Sequence, residues 1–204
     1  MVDSYKILST SIEYIASRSL IPRSSPSEVQ STLGSSSNTT DHFRGDTLLL
    51  PPPTPRNPTP NVLIATTRGS STATRGWLSV FPLDSDGNFV DAEVSEISNG
   101  DVEAHRFRTP TSGGKANAID ILPKSLSNDA AESGLWILLT DDDDVTATTG
   151  VGAVRVLEWD GWKSGGIKLV SEWPSPDSTD LKSESLDELE GERIEGASHA
   201  IWLD

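Results

Sequence analysis

Thr109-Pro110-Thr111-Ser112-Gly113-Gly114-Lys115-Ala116-Asn117-Ala118-Ile119 stands between two halves built on one plan. Two apolar runs precede it, 61–67 (NVLIATT) and 76–83 (GWLSVFPL), and two follow it, 134–140 (GLWILLT) and 152–159 (GAVRVLEW). In each half one run ends in polar residues, a loop follows, and a glycine opens the next run. Short apolar segments bounded by Gly, Asp and Pro read as strands. The repeat predicts an antiparallel unit in each half, one blade of a β-propeller apiece. Ser112-Gly113-Gly114 would carry the chain from the outside of one blade to the inside of the next.

Working outward from that centre, 61–67 reads as a strand buried on both faces, because its apolar run does not alternate. Asp84-Ser85-Asp86-Gly87-Asn88 is a turn signal, and 89–97 is expected to supply the outer strand of the first unit. In the second unit, 116–122 is expected as the inner strand, followed by 134–140, 152–159 and 166–173. The last stretch, 197–203 (ASHAIWL), resembles 115–122 and predicts one more inner strand. On the N-terminal side, 5–15 (YKILSTSIEYI) predicts one strand or a pair, and 47–50 a short strand. The segment 51–60 holds six prolines. It is neither helix nor central strand; it reads as a stiff connection, or as a proline-rich ligand. Residues 21–42 are rich in Ser and Thr and are expected to be a disordered insertion. Residues 177–196 form an acidic insertion, with a short helix as an alternative around 181–189. The whole of 1–204 is expected to be a single incomplete propeller domain.

The formal net charge of −15 argues against nucleic acid and anionic membranes as partners. An anionic small molecule would need a local cluster of positive charge. The absence of cysteine excludes disulfides, thiolate metal sites and a cysteine nucleophile. No apolar run reaches membrane-span length and no secretory signal is visible. A cytoplasmic location is the expectation.

In a four-stranded blade the second strand ends on the face where the next blade's inner strand begins. That geometry predicts that Arg44, Arg68, Lys115, the run 141–144 (DDDD) and His199 share one face. Arg68 closes an apolar strand, and a guanidinium there can grip a carboxylate through two parallel hydrogen bonds. Its alternative is an ion pair with Asp46 or with the 141–144 run. The aspartate run could hold Ca²⁺ or Mg²⁺, but it lacks the Gly and distal Glu of a helix-loop-helix calcium loop and reads better as a solvated turn. His105 and His199 have no paired ligand spacing, so no metal is assigned.

Thr109-Pro110-Thr111-Ser112-Gly113-Gly114 with Asn117-Ala118, then Leu139-Thr140-Asp141-Asp142, then Ala200-Ile201-Trp202-Leu203-Asp204, resembles the C-terminal part of the fungal carboxy-cis,cis-muconate cyclases, lactonase-like seven-bladed propellers. The resemblance covers roughly Glu13 to Asp204. It implies about two and a half of seven four-stranded blades. It also implies a cofactor-free isomerase that closes 3-carboxy-cis,cis-muconate to a lactone in aromatic catabolism (the β-ketoadipate pathway). The implied partner is an anionic tricarboxylate. One substrate carboxylate adds to a conjugated double bond, so the site needs positive charge for the developing enolate and a proton for the α-carbon. Arg68 matches a family arginine at a strand end and is the implied catalytic residue. Arg44, Lys115 and His199 are the substrate-binding candidates. Lys115 stands where the family has a histidine, and the family's other acid-base residues lie in blades without counterparts here. An open arc exposes strand edges, so self-association is a further expectation. The alternatives are a 6-phosphogluconolactonase-like hydrolase and a non-catalytic interaction module. Assaying cyclisation against hydrolysis separates the two enzymes, and loss of activity in a folded Arg68→Ala chain separates enzyme from module.

Overall fold

The computed structural model describes residues 1–22, 43–55, 57–70, 74–91, 103–112, 117–124, 134–142, 152–173 and 199–203. The 21–42 insertion beyond Pro22, the 177–196 insertion and Lys115 lie outside the described residues. The described part is all-β: β1 (Val2–Ile7), β2 (Ile12–Arg18), β3 (Phe43–Leu49), β4 (Val62–Gly69), β5 (Trp77–Pro82), β6 (His105–Arg108), β7 (Ile119–Pro123), β8 (Leu135–Asp141), β9 (Ala153–Trp159) and β10 (Ile167–Trp173), with one 3-10 turn at Trp162–Ser164. No helix among the described residues is long and apolar enough to cross a membrane.

Ten strands make three sheets. β1 and β2 form a hairpin, while β3-β4-β5-β6 and β7-β8-β9-β10 are four-stranded antiparallel meanders. The two meanders pack against each other through alternate residues. Val62 and Ile64 of β4, Leu78 and Val80 of β5, Ile119 and Ile121 of β7, Ile137 and Leu139 of β8 and Leu157 and Trp159 of β9 share one core. Burial on the opposite face of β4 explains its unbroken apolar run: Leu63 and Ala65 pack with Phe81, Leu20 and Ala104 in a second cluster. Ser79 Oγ donates to Leu20 O at 3.1 Å, Arg106 donates to Ser19 O at 3.0 Å, and Arg18 pairs with Asp91 at 2.9 Å, which ties the end of the hairpin to the first sheet.

The outer strand of the first sheet is His105–Arg108, not 89–97. Phe89 bridges to Leu83 and Val90 N donates to Pro82 O at 3.2 Å, so this segment meets only the last residue of β5, and the Phe89 ring lies edge-on to Phe81 of the second cluster, 5.8 Å between centroids. Residues 92–97 lie outside the described set. The strand that does pair, His-Arg-Phe-Arg, alternates correctly: His105 and Phe107 stand opposite Val80 and Leu78 and share their inward face. Trp159 Nε1 donates to the buried His105 Nδ1 at 3.0 Å, linking the outer part of one sheet to the other. The C-terminal strand expected over 197–203 is also not formed in its described part, 199–203. Ile201 and Leu203 are exposed, and one backbone bond, Trp202 N to Asp120 Oδ2 at 2.8 Å, anchors the segment beside β7.

At the other end of the second sheet, Lys124 stands over Trp136 and bonds to both Glu158 and Asp160. Burial opposes its charge, but the hydrogen bonds to Asp160 and Glu158 outweigh it and raise its pKa. A group whose folded pKa is raised contributes stability below its unfolded pKa, near 10.4 for Lys, and loses it as pH climbs through the folded value. Lys124→Met is therefore expected to remove part of the alkaline decline in the urea midpoint between about pH 9 and 12. An unchanged alkaline limb would contradict that assignment.

Candidate functional site

The Thr109–Ser112 stretch crosses the first sheet at the ends of its strands instead of looping away. Thr109 N donates to Gly76 O at 3.0 Å, Gly76 N to Thr111 O at 3.0 Å, and Gly69 N to Ser112 O at 2.9 Å. The chain so walks from β6 back along the ends of β5 and β4; Gly113 and Gly114, the rest of the predicted turn, lie outside the described residues. Glycine is required along the way. A Cβ on Gly76 would lie 2.3 Å from Thr67 O, and one on Gly69 would lie 1.8 Å from Thr74 O. Gly76→Ala is expected to cost about 1–3 kcal/mol by forcing this crossing apart, read as a drop in the urea midpoint.

Asn117 then fastens the second sheet to the first. Its side-chain amide donates to Thr67 O at 3.0 Å, its carbonyl accepts from Thr66 Oγ1 at 2.8 Å, and its backbone N–H bonds to Asp46 Oδ2. Thr66 Oγ1 in turn accepts from Thr47 N at 3.0 Å, where a register shift bends β3. Asn117 is 1% exposed, so loss of its side-chain amide would leave the buried Thr67 O without this donor, while the two backbone bonds remain. Asn117→Ala is expected to destabilise by about 1–3 kcal/mol, measured by urea unfolding; a loss under half that would mean the staple is not formed in solution.

Of the predicted cations, Arg44 and Arg68 are brought together at this end of the first sheet, while Lys115 lies outside the described residues. Arg44 and Arg68 are direct cross-strand partners, so their side chains share one face. Two-residue alternation puts Arg68 on the face of Val62, Ile64 and Thr66, which looks towards the second sheet. Arg44 is exposed and Arg68 half-buried. Arg68 Nε is buried and has no hydrogen-bond partner among the described residues. Two of the carboxylates weighed as partners for Arg68 are hydrogen-bonded to other groups. Asp46 takes Asn117 N, and Asp141 takes Arg155 and Thr111 Oγ1. Two like charges side by side across a ladder repel, and an anion lying between them would relieve that repulsion.

Asp141 corrects the reading of the aspartate run as a solvated turn. It is fully buried at the end of β8, and its Oδ2 is 3.3 Å from Arg155 NH1. Arg155 is 2% exposed and also bonds Glu172 through Nε at 2.7 Å. The signal was present in 152–159: an arginine at an inward position of an otherwise apolar strand needs a buried carboxylate. Asp142 follows at the surface side of the strand end, and 143–144 lie outside the described residues. His199 is exposed, three residues before the Trp202 anchor on Asp120. Among the described residues no group of three His, Asp or Glu side chains could hold a metal ion.

The class defined by these features is an all-β chain of four-stranded antiparallel meanders, with a pair of arginines where strand ends and inter-sheet connections meet. Muconate cycloisomerase 1 of Cutaneotrichosporon cutaneum is 31% identical to the chain over 116 residues, 57% of the chain. The match spans 25% of that protein, so the chain covers about a quarter of the length of this relative. The relation is distant, and the name it carries is muconate cycloisomerase, not the carboxymuconate cyclase of the sequence resemblance. No family model matches the chain, and no solved structure matches it.

Proposed function

We propose that the chain belongs to an isomerase of aromatic catabolism, of the carboxy-cis,cis-muconate cyclase type, and that its two meander sheets are adjacent blades of a propeller. The observation that carries this reading is the cross-strand pair Arg44 and Arg68, facing the second sheet, with Asp46 and Asp141 hydrogen-bonded to other groups. The likeness to a muconate cycloisomerase supports the same chemistry. Muconates are dicarboxylates and 3-carboxymuconate is a tricarboxylate, so recognition requires concentrated positive charge on a chain that is otherwise strongly acidic.

In this reading the planar guanidinium of Arg68 takes one substrate carboxylate in a two-bond fork. Arg44, more exposed, receives a second. A third carboxylate adds to the conjugated double bond, forming the ring C–O bond. The electron pair moves onto the α-carbon and its carboxylate as an enolate, where fixed positive charge is worth most. A proton taken up from solvent at the α-carbon completes the ring, so the trianion becomes a lactone dianion and the two free acids are isomers. Lys115 and His199 are the other proposed substrate contacts.

The test is incubation of the purified chain with 3-carboxy-cis,cis-muconate, following loss of the conjugated-diene absorbance and the lactone product by NMR. The expected result is catalysed lactone formation above the buffer rate. Hydrolysis of a phosphogluconolactone without any cyclisation would overturn the proposal in favour of a lactone hydrolase.

A further inference from the structure

The N-terminal hairpin is the one sheet among the described residues with two strands instead of four. A two-stranded hairpin on its own is marginally stable in water. This one is attached to the first sheet at its end, through Arg18, Ser19 and Leu20, while its tip projects. The register pairs Tyr5 with Tyr14 and Ile7 with Ile12, which puts four large apolar side chains on one face. They are 55%, 55%, 82% and 69% exposed respectively. β1 pairs only with β2, so its other edge presents unpaired N–H and C=O groups among the described residues. Beside that edge, Val2, Asp3 and Ser4 wall a cleft of about 380 Å³ against Leu48, Leu50 and Phe89.

Charge selects the occupant. The chain carries −15 overall. Its first 20 residues hold two acids, Asp3 and Glu13, and two bases, Lys6 and Arg18, and are formally neutral. The hairpin is therefore a place where two copies of this acidic chain can meet without bringing like charge together. A two-fold contact also needs a surface complementary to itself, and an antiparallel edge strand provides one.

We propose that β1 pairs with β1 of a second copy, joining two hairpins into one four-stranded sheet, β2-β1-β1′-β2′, with the Tyr5, Ile7, Ile12 and Tyr14 faces continuous across the dimer. This does not depend on the isomerase reading. The dimer buries apolar surface at a neutral patch while the rest of the two chains repel. Added salt therefore strengthens it by screening that repulsion.

Sedimentation equilibrium of the full chain tests the proposal. The expected result is a monomer–dimer equilibrium that tightens as NaCl is raised. Ile7→Glu with Ile12→Glu, at positions too exposed to matter to the monomer's core, is expected to weaken the dimer at least about tenfold by placing like charges at the contact. Because the chain has no cysteine, Ser4→Cys gives a second readout. It should form a cross-linked dimer on mild oxidation, whereas Lys168→Cys on β10 should not. A wild-type chain that stays monomeric at every salt concentration would overturn the proposal. So would higher aggregates in place of a dimer, or a dimer indifferent to the double substitution.

Discussion

Asp141→Ala is expected to destabilise the chain by about 3 kcal/mol, because it leaves the buried Arg155 with Glu172 in place of two carboxylates. Arg155 is 2% exposed and its other carboxylate partner is Glu172, while Asp141 is itself fully buried. Taking a charge out of water costs several kcal/mol unless another charge and good hydrogen bonds compensate. Thr111 Oγ1 also loses its acceptor, which loosens the crossing segment beside the arginine pair. If Asp141→Ala does not fold, the double replacement Asp141→Leu with Arg155→Met decides the matter. Removing both charges leaves only Glu172 without its partner, and at 22% exposure it can reach solvent, so that chain should recover most of the lost stability. A urea midpoint unchanged by Asp141→Ala would mean that this strand end is solvated and the site's frame is not as described.

Arg68→Ala is expected to behave in the opposite way, with activity lost and the fold kept. Losing a positioned donor to a developing anion typically costs about 10²–10³ in kcat. Stability should hold or rise slightly, by about 0.2–1 kcal/mol, because the substitution removes a like-charge neighbour of Arg44 across the ladder. Arg68→Lys restores the charge but not the two-bond fork, so only part of the rate should return. Measuring kcat/KM beside the urea midpoint separates these outcomes. A variant that loses activity and stability together would make Arg68 a structural residue.

Strand positions were legible wherever apolar runs met turn residues. NVLIATT, GLWILLT and GAVRVLEW became β4, β8 and β9 because their inward residues are aliphatic and their ends polar. β6 was hidden because its inward residues are His105 and Phe107, set between arginines, and its four residues carry little periodic signal. The C-terminal ASHAIWL is apolar enough for a strand, but its described part forms no ladder, and Trp202 N bonds to the side chain of Asp120. At the site, strand topology put Arg44 and Arg68 on a common face, but their direct pairing across the ladder depends on the β3–β4 register, which the sequence does not show. The burial of Asp141 did not, since DDDD looks like a solvated turn until Arg155 is known to point inward. Asn117 was visible as part of a motif, yet its work as a staple between sheets depends on Thr66, Thr67 and Asp46, about fifty to seventy positions earlier.

The most direct measurement is isothermal titration calorimetry of 3-carboxy-cis,cis-muconate into the wild-type chain and into Arg68→Ala. The expected result is saturable binding by the wild type that weakens with salt, as contacts between guanidinium and carboxylate do, and is lost in the variant. No saturable heat in the wild type, or equal affinity in both chains, would contradict a polycarboxylate site at the arginine pair.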